Sequence, residues 1–171
     1  VPGTPSEPAP SAGAAPLVLT KKLSGKERKA ALEALPERYR QFLADVEPII
    51  TDVEEATLLR LASDYQRDRF VEDFWKRRSV DEDGQRVSFR EIYEMRLQVV
   101  KERFRHINTD QGRVFLLNGP PDGLRKIDCT DIYNPIEIWY YERIESLKAS
   151  KVTLLFYQPF GAGDFRLWTP L

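Results

Sequence analysis

Apolar residues recur at helical spacing over the first two thirds of the chain and gather into short runs in the last third. The spacing predicts helices that begin near Ser24, Thr51 and Ser88, where Ser or Thr precedes Glu by three residues in a capping box. Pro36 is expected to restart the first helix in its first turn. Two apolar stripes are clear: one over 65–78, and one formed by Phe89, Ile92, Tyr93, Leu97, Val100 and Phe104.

The pattern changes after Asp110. A continuous apolar run at 113–118, bounded by turn residues, predicts a buried strand. β-branched and aromatic residues predict further strands at 136–143, 151–158 and 165–169. Helices followed by consecutive strands predict an α+β fold, with N-terminal helices packed on a C-terminal antiparallel sheet of about four strands.

The start of the chain differs in composition from the remainder. Residues 1–16 have five prolines, Pro2, Pro5, Pro8, Pro10 and Pro16, and cannot bury enough apolar surface to offset their ordering entropy. Two interpretations stay open, a flexible spacer after a cleavage site and an extended arm that docks on a partner. Our working prediction is an arm over 1–19 followed by one domain over 20–171. A first residue of Val rather than Met fits removal of a signal peptide as well as trimming, and we expect export.

Composition and charge restrict the function. The 171 residues suit one domain, and 26 Lys+Arg against 27 Asp+Glu give a net charge of −1, which provides no general attraction to nucleic acid. No apolar run is long enough for a membrane-spanning helix. The single cysteine, Cys129, excludes an internal disulfide framework and a cysteine-based zinc cage. We expect no cofactor and no bound metal.

The residues with the most obvious chemistry also have structural explanations. His106 and Asp110 are the one His–carboxylate pairing, and together with Asp122 they define an alternative function, a small hydrolase or ligand-binding enzyme. No Ser or Cys nucleophile motif accompanies them. Turn chemistry accounts for the same segment, with Asp110 accepting the Gly112 amide and Thr109 helping to end a helix.

Two loops have only part of a ligand-binding motif. The Gly-Pro-Pro-Asp-Gly sequence at 119–123 contains two prolines, which remove amide donors that a phosphate loop requires. The acidic loop of Asp81, Glu82 and Asp83 lacks the remaining ligands of a calcium site. A rigid turn and a solvated loop are therefore predicted.

Arginines and aromatic residues predict contacts with a protein partner. Arg outnumbers Lys on the middle helices, where interleaved Glu residues predict pairing along each helix and the guanidinium groups also suit a partner's carboxylates. The consecutive rings of Trp139, Tyr140 and Tyr141 must lie on both sides of one strand. Our predicted partner contacts are Pro2, Pro5, Pro8, Pro10, Pro16, Arg77, Arg78, Trp139 and Tyr141.

Five separated blocks of the chain resemble the GWxTD domain, a bacterial family without an established biochemical role. They are Phe-Trp-Lys-Arg-Arg at 74–78, the helix at 89–97, Thr-Asp-Gln-Gly-Arg at 109–113, Gly-Pro-Pro-Asp at 119–122 and Glu-Ile-Trp-Tyr-Tyr at 137–141. His106-Ile107 replaces the Gly-Trp of the family name, and Gln111 replaces the usual Arg. The resemblance implies a secreted, periplasmic or envelope-associated bacterial protein with no known catalytic residues.

The sequence therefore favours a non-catalytic protein-interaction module, an accessory or structural subunit of a larger envelope-associated complex, with the N-terminal arm docked on a partner. The hydrolase of His106 and Asp110 is the alternative. A carrier of small ligands in an apolar pocket between sheet and helices is a third possibility.

Overall fold

The computed structural model describes residues 23–79, 89–128, 134–144 and 147–169. The described residues form six α-helices followed by a four-stranded antiparallel sheet with the strand order β1-β2-β3-β4, which confirms the predicted α+β fold. The helices are α1 (Gly25–Ala34), α2 (Glu37–Asp45), α3 (Asp52–Arg60), α4 (Asp64–Arg78), α5 (Phe89–Arg103) and α6 (Asp110–Asn118). The strands are β1 (Gly123–Ile127), β2 (Ile136–Ile144), β3 (Ala149–Tyr157) and β4 (Arg166–Leu167).

Capping residues in the sequence determine where several helices begin. Ser24 and Thr51 form the predicted capping boxes at α1 and α3, and Ser63 forms another at α4. Pro36 lies at the N-cap of α2, one residue before the first turn. The box predicted at Ser88 lies outside the described residues.

The main core lies between one side of the sheet, the inner face, and the apolar faces of the helices. Its most deeply buried members are Val46, Phe74, Val100, Leu116, Trp139, Tyr141, Ile144 and Phe156. A second cluster joins α1, α2 and α3 through Leu35, Tyr39, Leu43, Leu58 and Leu59. The helices are thus held together by two apolar clusters, of which only the main core includes the sheet.

The apolar run at 113–118 is a helix, and the predicted strand there is wrong. The buried residues of α6 are Gln111, Gly112, Phe115 and Leu116, which share one helical face. Thr109 caps the helix, because its Oγ1 accepts the Gly112 N–H at 3.0 Å. A continuous apolar run has no period that distinguishes a buried strand from a buried helix. The N-cap at Thr109 is the local feature that favours the helix.

The remaining strand is β1, which the sequence pattern did not reveal. It pairs with β2 so that Leu124 lies opposite Trp139 and Lys126 opposite Glu137. Exposed Arg and Lys side chains dominate β1, as is common on an edge strand, and they hide its β character. The three other predicted strands correspond to β2, β3 and β4, with bounds that differ by at most two residues.

Phe156 provides a test of the core. Its buried ring lies 4.8 Å from that of Trp139, so we expect Phe156→Ala to lower the free energy of unfolding by about 3–5 kcal/mol in urea denaturation. The control is Phe160→Ala at a ring that is 92% exposed, where a change below about 0.5 kcal/mol is expected. Equal losses at the two positions would contradict the assigned core.

Candidate functional site

The segment between α5 and the sheet contains two of the sequence blocks described above, 109–113 and 119–122. The Thr109 hydroxyl donates to the His106 carbonyl at 3.1 Å, and Thr109 begins α6 rather than ending the preceding helix. The Asp110 carboxylate accepts the N–H of Leu167 in β4 at 2.8 Å. The predicted bond from Asp110 to the Gly112 amide is therefore wrong, because Thr109 takes that amide and Asp110 fastens the edge strand.

Two glycines in this region are required by their surroundings. A Cβ atom on Gly112 would lie 2.7 Å from both the His106 carbonyl oxygen and Thr109 Oγ1. Gly119 has a φ of +82°, and a Cβ there would lie 2.9 Å from the Arg96 guanidinium. Arg96 in turn donates to a backbone carbonyl in the last turn of α6 at 2.9 Å. The glycines thus permit close packing at both ends of α6.

Glu137 is a buried carboxylate where α6 meets the sheet. Its Oε2 accepts from Gln111 Nε2 at 2.8 Å and from Trp139 Nε1 at 3.0 Å, while Oε1 lies 2.9 Å from Lys126 Nζ. Burial raises the pKa of Glu137, but Lys126 and the two hydrogen bonds outweigh it and leave the pKa below its usual range. Since donors from three elements already occupy this carboxylate, it is a structural joint rather than a free base.

Sequence reasoning missed the Glu137 joint. The available signal was a single acidic residue among the apolar residues at 136–139, at a position that shares a face with Trp139. Its partner Gln111 belongs to the segment that was predicted to be a turn before a strand, so the pairing could not be seen without α6.

The proposed catalytic residues are not joined to one another. His106 is exposed, and within the described ranges no hydrogen bond or ion pair links it to Asp110 or Asp122. Asp122 instead accepts the backbone N–H of Glu142 at 2.7 Å, and Asp110 holds β4. The geometry gives the hydrolase alternative no support.

Arg77 and Arg78 both contact Glu54 of α3. Arg77 Nη2 lies 3.2 Å from the Glu54 carboxylate, and Arg78 Nη2 lies 2.7 Å from it. Arg78 also donates to the Ile49 carbonyl at 2.8 Å and places its guanidinium 3.6 Å from the ring centre of Phe74. Both side chains therefore help to join α4 to α3, and any contact with a partner would compete with that role.

Trp139 and Tyr141 are core residues, and assigning them to partner contacts was wrong. Each is 2% exposed on the inner face of the sheet. The Tyr141 hydroxyl donates to the Gly119 carbonyl at 2.9 Å, which attaches the end of α6 to β2. The strand alternation that buries these two rings places Tyr140 on the opposite side of the sheet.

That opposite side, the outer face, carries a candidate interaction surface. Strand pairing sets Ile138 of β2 between Arg125 of β1 and Leu155 of β3. Trp168, which is 55% exposed, donates its backbone N–H to the Leu155 carbonyl at 2.8 Å and extends the same row. The outer face comprises Arg125, Ile127, Ile136, Ile138, Tyr140, Glu142, Thr153, Leu155, Tyr157, Arg166 and Trp168, and Glu142 accepts from the Tyr140 hydroxyl at 3.0 Å.

The outer face is more apolar than a solvated sheet face usually is. Antiparallel sheets with one free side tend to turn polar residues outward, whereas β2 and β3 turn outward the half-buried Ile136, Ile138, Tyr140, Leu155 and Tyr157. Among the described residues, none of these five belongs to either apolar cluster formed with the helices. An apolar surface of this kind is typical of interaction sites.

Two arginines border the outer face on the edge strands. Arg125 lies on β1 and Arg166 on β4, three strand spacings or roughly 14 Å apart across the sheet and two residues apart along the strands. Both are exposed, and no carboxylate in the part of the chain that the structure describes forms an ion pair with either. The border is suited to a partner that carries acidic groups beside an apolar patch.

A groove of about 520 Å³ opens among α1, α2 and α3, away from the sheet. Apolar side chains such as Leu32 and Leu43 share its lining with the ion pair of Arg28 and Glu55. The ligand-carrier interpretation requires an apolar pocket between sheet and helices, and this groove is in another place. A second groove, of about 330 Å³, does lie between the end of α5, the start of α6 and the sheet.

Several predicted features lie outside the described residues. They are the prolines of the arm (Pro2, Pro5, Pro8, Pro10 and Pro16), the acidic loop 81–83 and Cys129. Within the four described ranges, no three His, Cys, Asp or Glu side chains form a group that could hold a metal ion. No helix in those ranges combines the length and apolar character needed to cross a membrane.

Comparison of the chain with protein-family models, curated proteins and solved structures found no match.

The Glu54 carboxylate predicts a dependence of stability on pH. Burial raises its pKa, but hydrogen bonds from Arg78 and Thr51 prevail and lower the pKa from 4.5 to about 2. A pKa that is lower in the folded state adds stability above pH 4.5, which is lost as the pH falls toward 2. We expect the stability advantage of wild type over Glu54→Gln to shrink by about 1–2 kcal/mol over this range.

Urea denaturation at a series of pH values measures that difference. The matched control is Glu33→Gln, because Glu33 is exposed and contacts Lys29 at 4.0 Å. A stability gap for Glu54→Gln that does not vary with pH would show that the Arg78–Glu54 pair does not stabilise the folded state through its charge.

Proposed function

We propose that this protein is a non-catalytic protein-interaction module, an accessory or structural subunit of a larger complex at the bacterial cell envelope. The observation that carries the proposal is the outer face, where five half-buried apolar or aromatic side chains lie beside exposed Trp168 and pack against neither helix cluster. Tyr, Trp and Arg are the residue types that contribute most strongly to protein interfaces, and all three are present on the outer face.

The distribution of arginine partners supports the same surface. Arg28, Arg38 and Arg78 each contact a carboxylate elsewhere in the described helices. Arg125 and Arg166 have no such contact with a described residue. Unused guanidinium groups beside apolar side chains can bind a partner's carboxylates while the partner's apolar residues cover the sheet.

The compartment and the role of the arm are further parts of the proposal. Location at the envelope follows from the resemblance of 109–113 and 119–122 to the GWxTD domain, whose members are expected outside the cytoplasm. The arm, residues 1–19, would lie extended on the partner, as its proline content favours. Arm and outer face would then hold the same assembly.

Substitution of two outer-face residues by charged residues tests the interaction surface. Ile138 and Leu155 lie opposite each other on β2 and β3, so Ile138→Glu with Leu155→Lys keeps a favourable cross-strand pair while removing the apolar centre. We expect recovery of the partner with the tagged full chain from the source bacterium to fall about tenfold or more.

In the control variant the two apolar residues trade places, Ile138→Leu with Leu155→Ile, and recovery of the partner should equal that of wild type. Thermal unfolding of both variants verifies that the fold persists. Equal recovery of the partner with both variants would refute the outer face as the docking surface.

Deletion of residues 1–16 tests the arm separately. We expect lower recovery of the partner from the source bacterium, since the deletion removes the proline-rich segment but leaves every described residue in place. A matched variant replaces residues 1–16 by a Gly/Ser linker of the same length, which preserves spacing. Undiminished recovery with the deletion would show that the arm is a spacer.

A further inference from the structure

A second groove, of about 330 Å³, lies where the end of α5, the start of α6 and the sheet meet. Its charged lining consists of Arg103, Arg105, Lys126, Glu137 and Asp164. The groove has the size of a small ligand site. It faces the helices and is distinct from the outer face, so a ligand bound in it is independent of the proposed function.

The charges in this groove do not balance. Lys126 is paired with Glu137 at 2.9 Å. Arg103 places its guanidinium 5.6 Å from the Phe104 ring centre, and neither Arg103 nor Arg105 forms an ion pair with any described carboxylate. Three cationic side chains against two carboxylates leave one excess positive charge, which is the charge that a single carboxylate would neutralise.

The backbone at Arg105 is strained. Its φ is +67°, and the His106 N–H donates to the Phe104 carbonyl at 2.8 Å, which forms a γ-turn centred on Arg105. A positive φ disfavours an arginine and would suit glycine. Basic residues at the end of α5 already complement its helix dipole without such a turn. The strained residue, Arg105, instead lines the groove, and strained backbone of this kind clusters at binding sites.

Two aromatic side chains form the apolar part of the groove, whose described lining is otherwise mainly polar. Phe104 and Phe165 are both half-buried and both line it, next to the two arginines. A ligand that fits these surroundings has one carboxylate and an apolar body.

We propose that the groove binds a small organic monocarboxylate, with the carboxylate held by Arg103 and Arg105 and the apolar body against Phe104 and Phe165. Guanidinium groups form strong paired hydrogen bonds with carboxylates. Glu137 does not compete for the arginines, because Lys126, Gln111 and Trp139 occupy its oxygens.

Binding is tested with phenylacetate as the probe. In NMR titrations of the full, isotopically labelled chain at constant ionic strength, we expect saturable shifts of the Gln111 and Arg105 amide signals. The neutral analogue phenylacetamide should bind with an affinity at least about tenfold lower, since it forms no charge-assisted hydrogen bonds. Equal binding of the two compounds would refute recognition of a carboxylate, and tighter binding of inorganic phosphate than of phenylacetate would refute the monocarboxylate.

Variants at Arg105 separate the side chain from the backbone. Arg105→Gly should relieve the strain and raise the melting temperature while weakening phenylacetate binding about tenfold. Arg105→Gln should weaken binding to a similar extent without relieving the turn. The matched control is Arg69→Gln, because Arg69 is exposed on α4 and does not line the groove, and its binding should equal that of wild type. Unchanged affinity in both Arg105 variants would overturn the proposal.

Discussion

The hydrogen-bonded carboxylate of Glu137 is the interaction on which the arrangement of this molecule depends. It brings together Gln111 of α6, Lys126 of β1 and Trp139 of β2, so one side chain fixes the last helix, the edge strand and the central strand relative to one another. A buried carboxylate is costly without partners, and removing any donor would leave the charge partly unpaired. Because these donors must all be in place together, α6, β1 and β2 meet in one arrangement, with the inner face of the sheet toward the helices.

The attachment of α6 at both ends extends that constraint. Asp110 binds β4 at the start of the helix, and Tyr141 binds the Gly119 carbonyl just after its end. The inner face is thereby covered, and Trp139 and Tyr141 are buried with it. No described helix covers the other side, so the apolar side chains of the outer face lie where a partner could reach them. The placement of α6 therefore has two consequences: it helps to bury the inner face, and it leaves the outer face uncovered by the described helices.

The sequence predicted the fold class and most elements because capping boxes and helical spacing are local signals. It failed at 113–118, where an apolar run has no distinguishing period, and at β1, where Arg and Lys side chains mask an edge strand. Some of the predicted site residues were wrong for a related reason, which is that local patterns do not show which surfaces are buried. Alternation places Trp139 and Tyr141 on one face and Tyr140 on the other, but it does not reveal which face the helices cover. That Arg103 and Arg105 form no ion pair with a described carboxylate could not be recognised either, because an arginine can also pair with carboxylates distant in the chain, as Arg28 does with Glu55.

By itself the sequence determined that helices precede an antiparallel sheet, the places where several helices begin, and the proline-rich composition of the arm. Those features depend on residues within a few positions of one another. The tertiary structure alone decided that Glu137 joins α6 to the sheet, that Asp110 and Asp122 accept backbone N–H groups of strands, and that the outer face is free of the described helices. Each of these depends on packing between distant segments, where the burial of one face and the pairing of one charge exclude the alternatives.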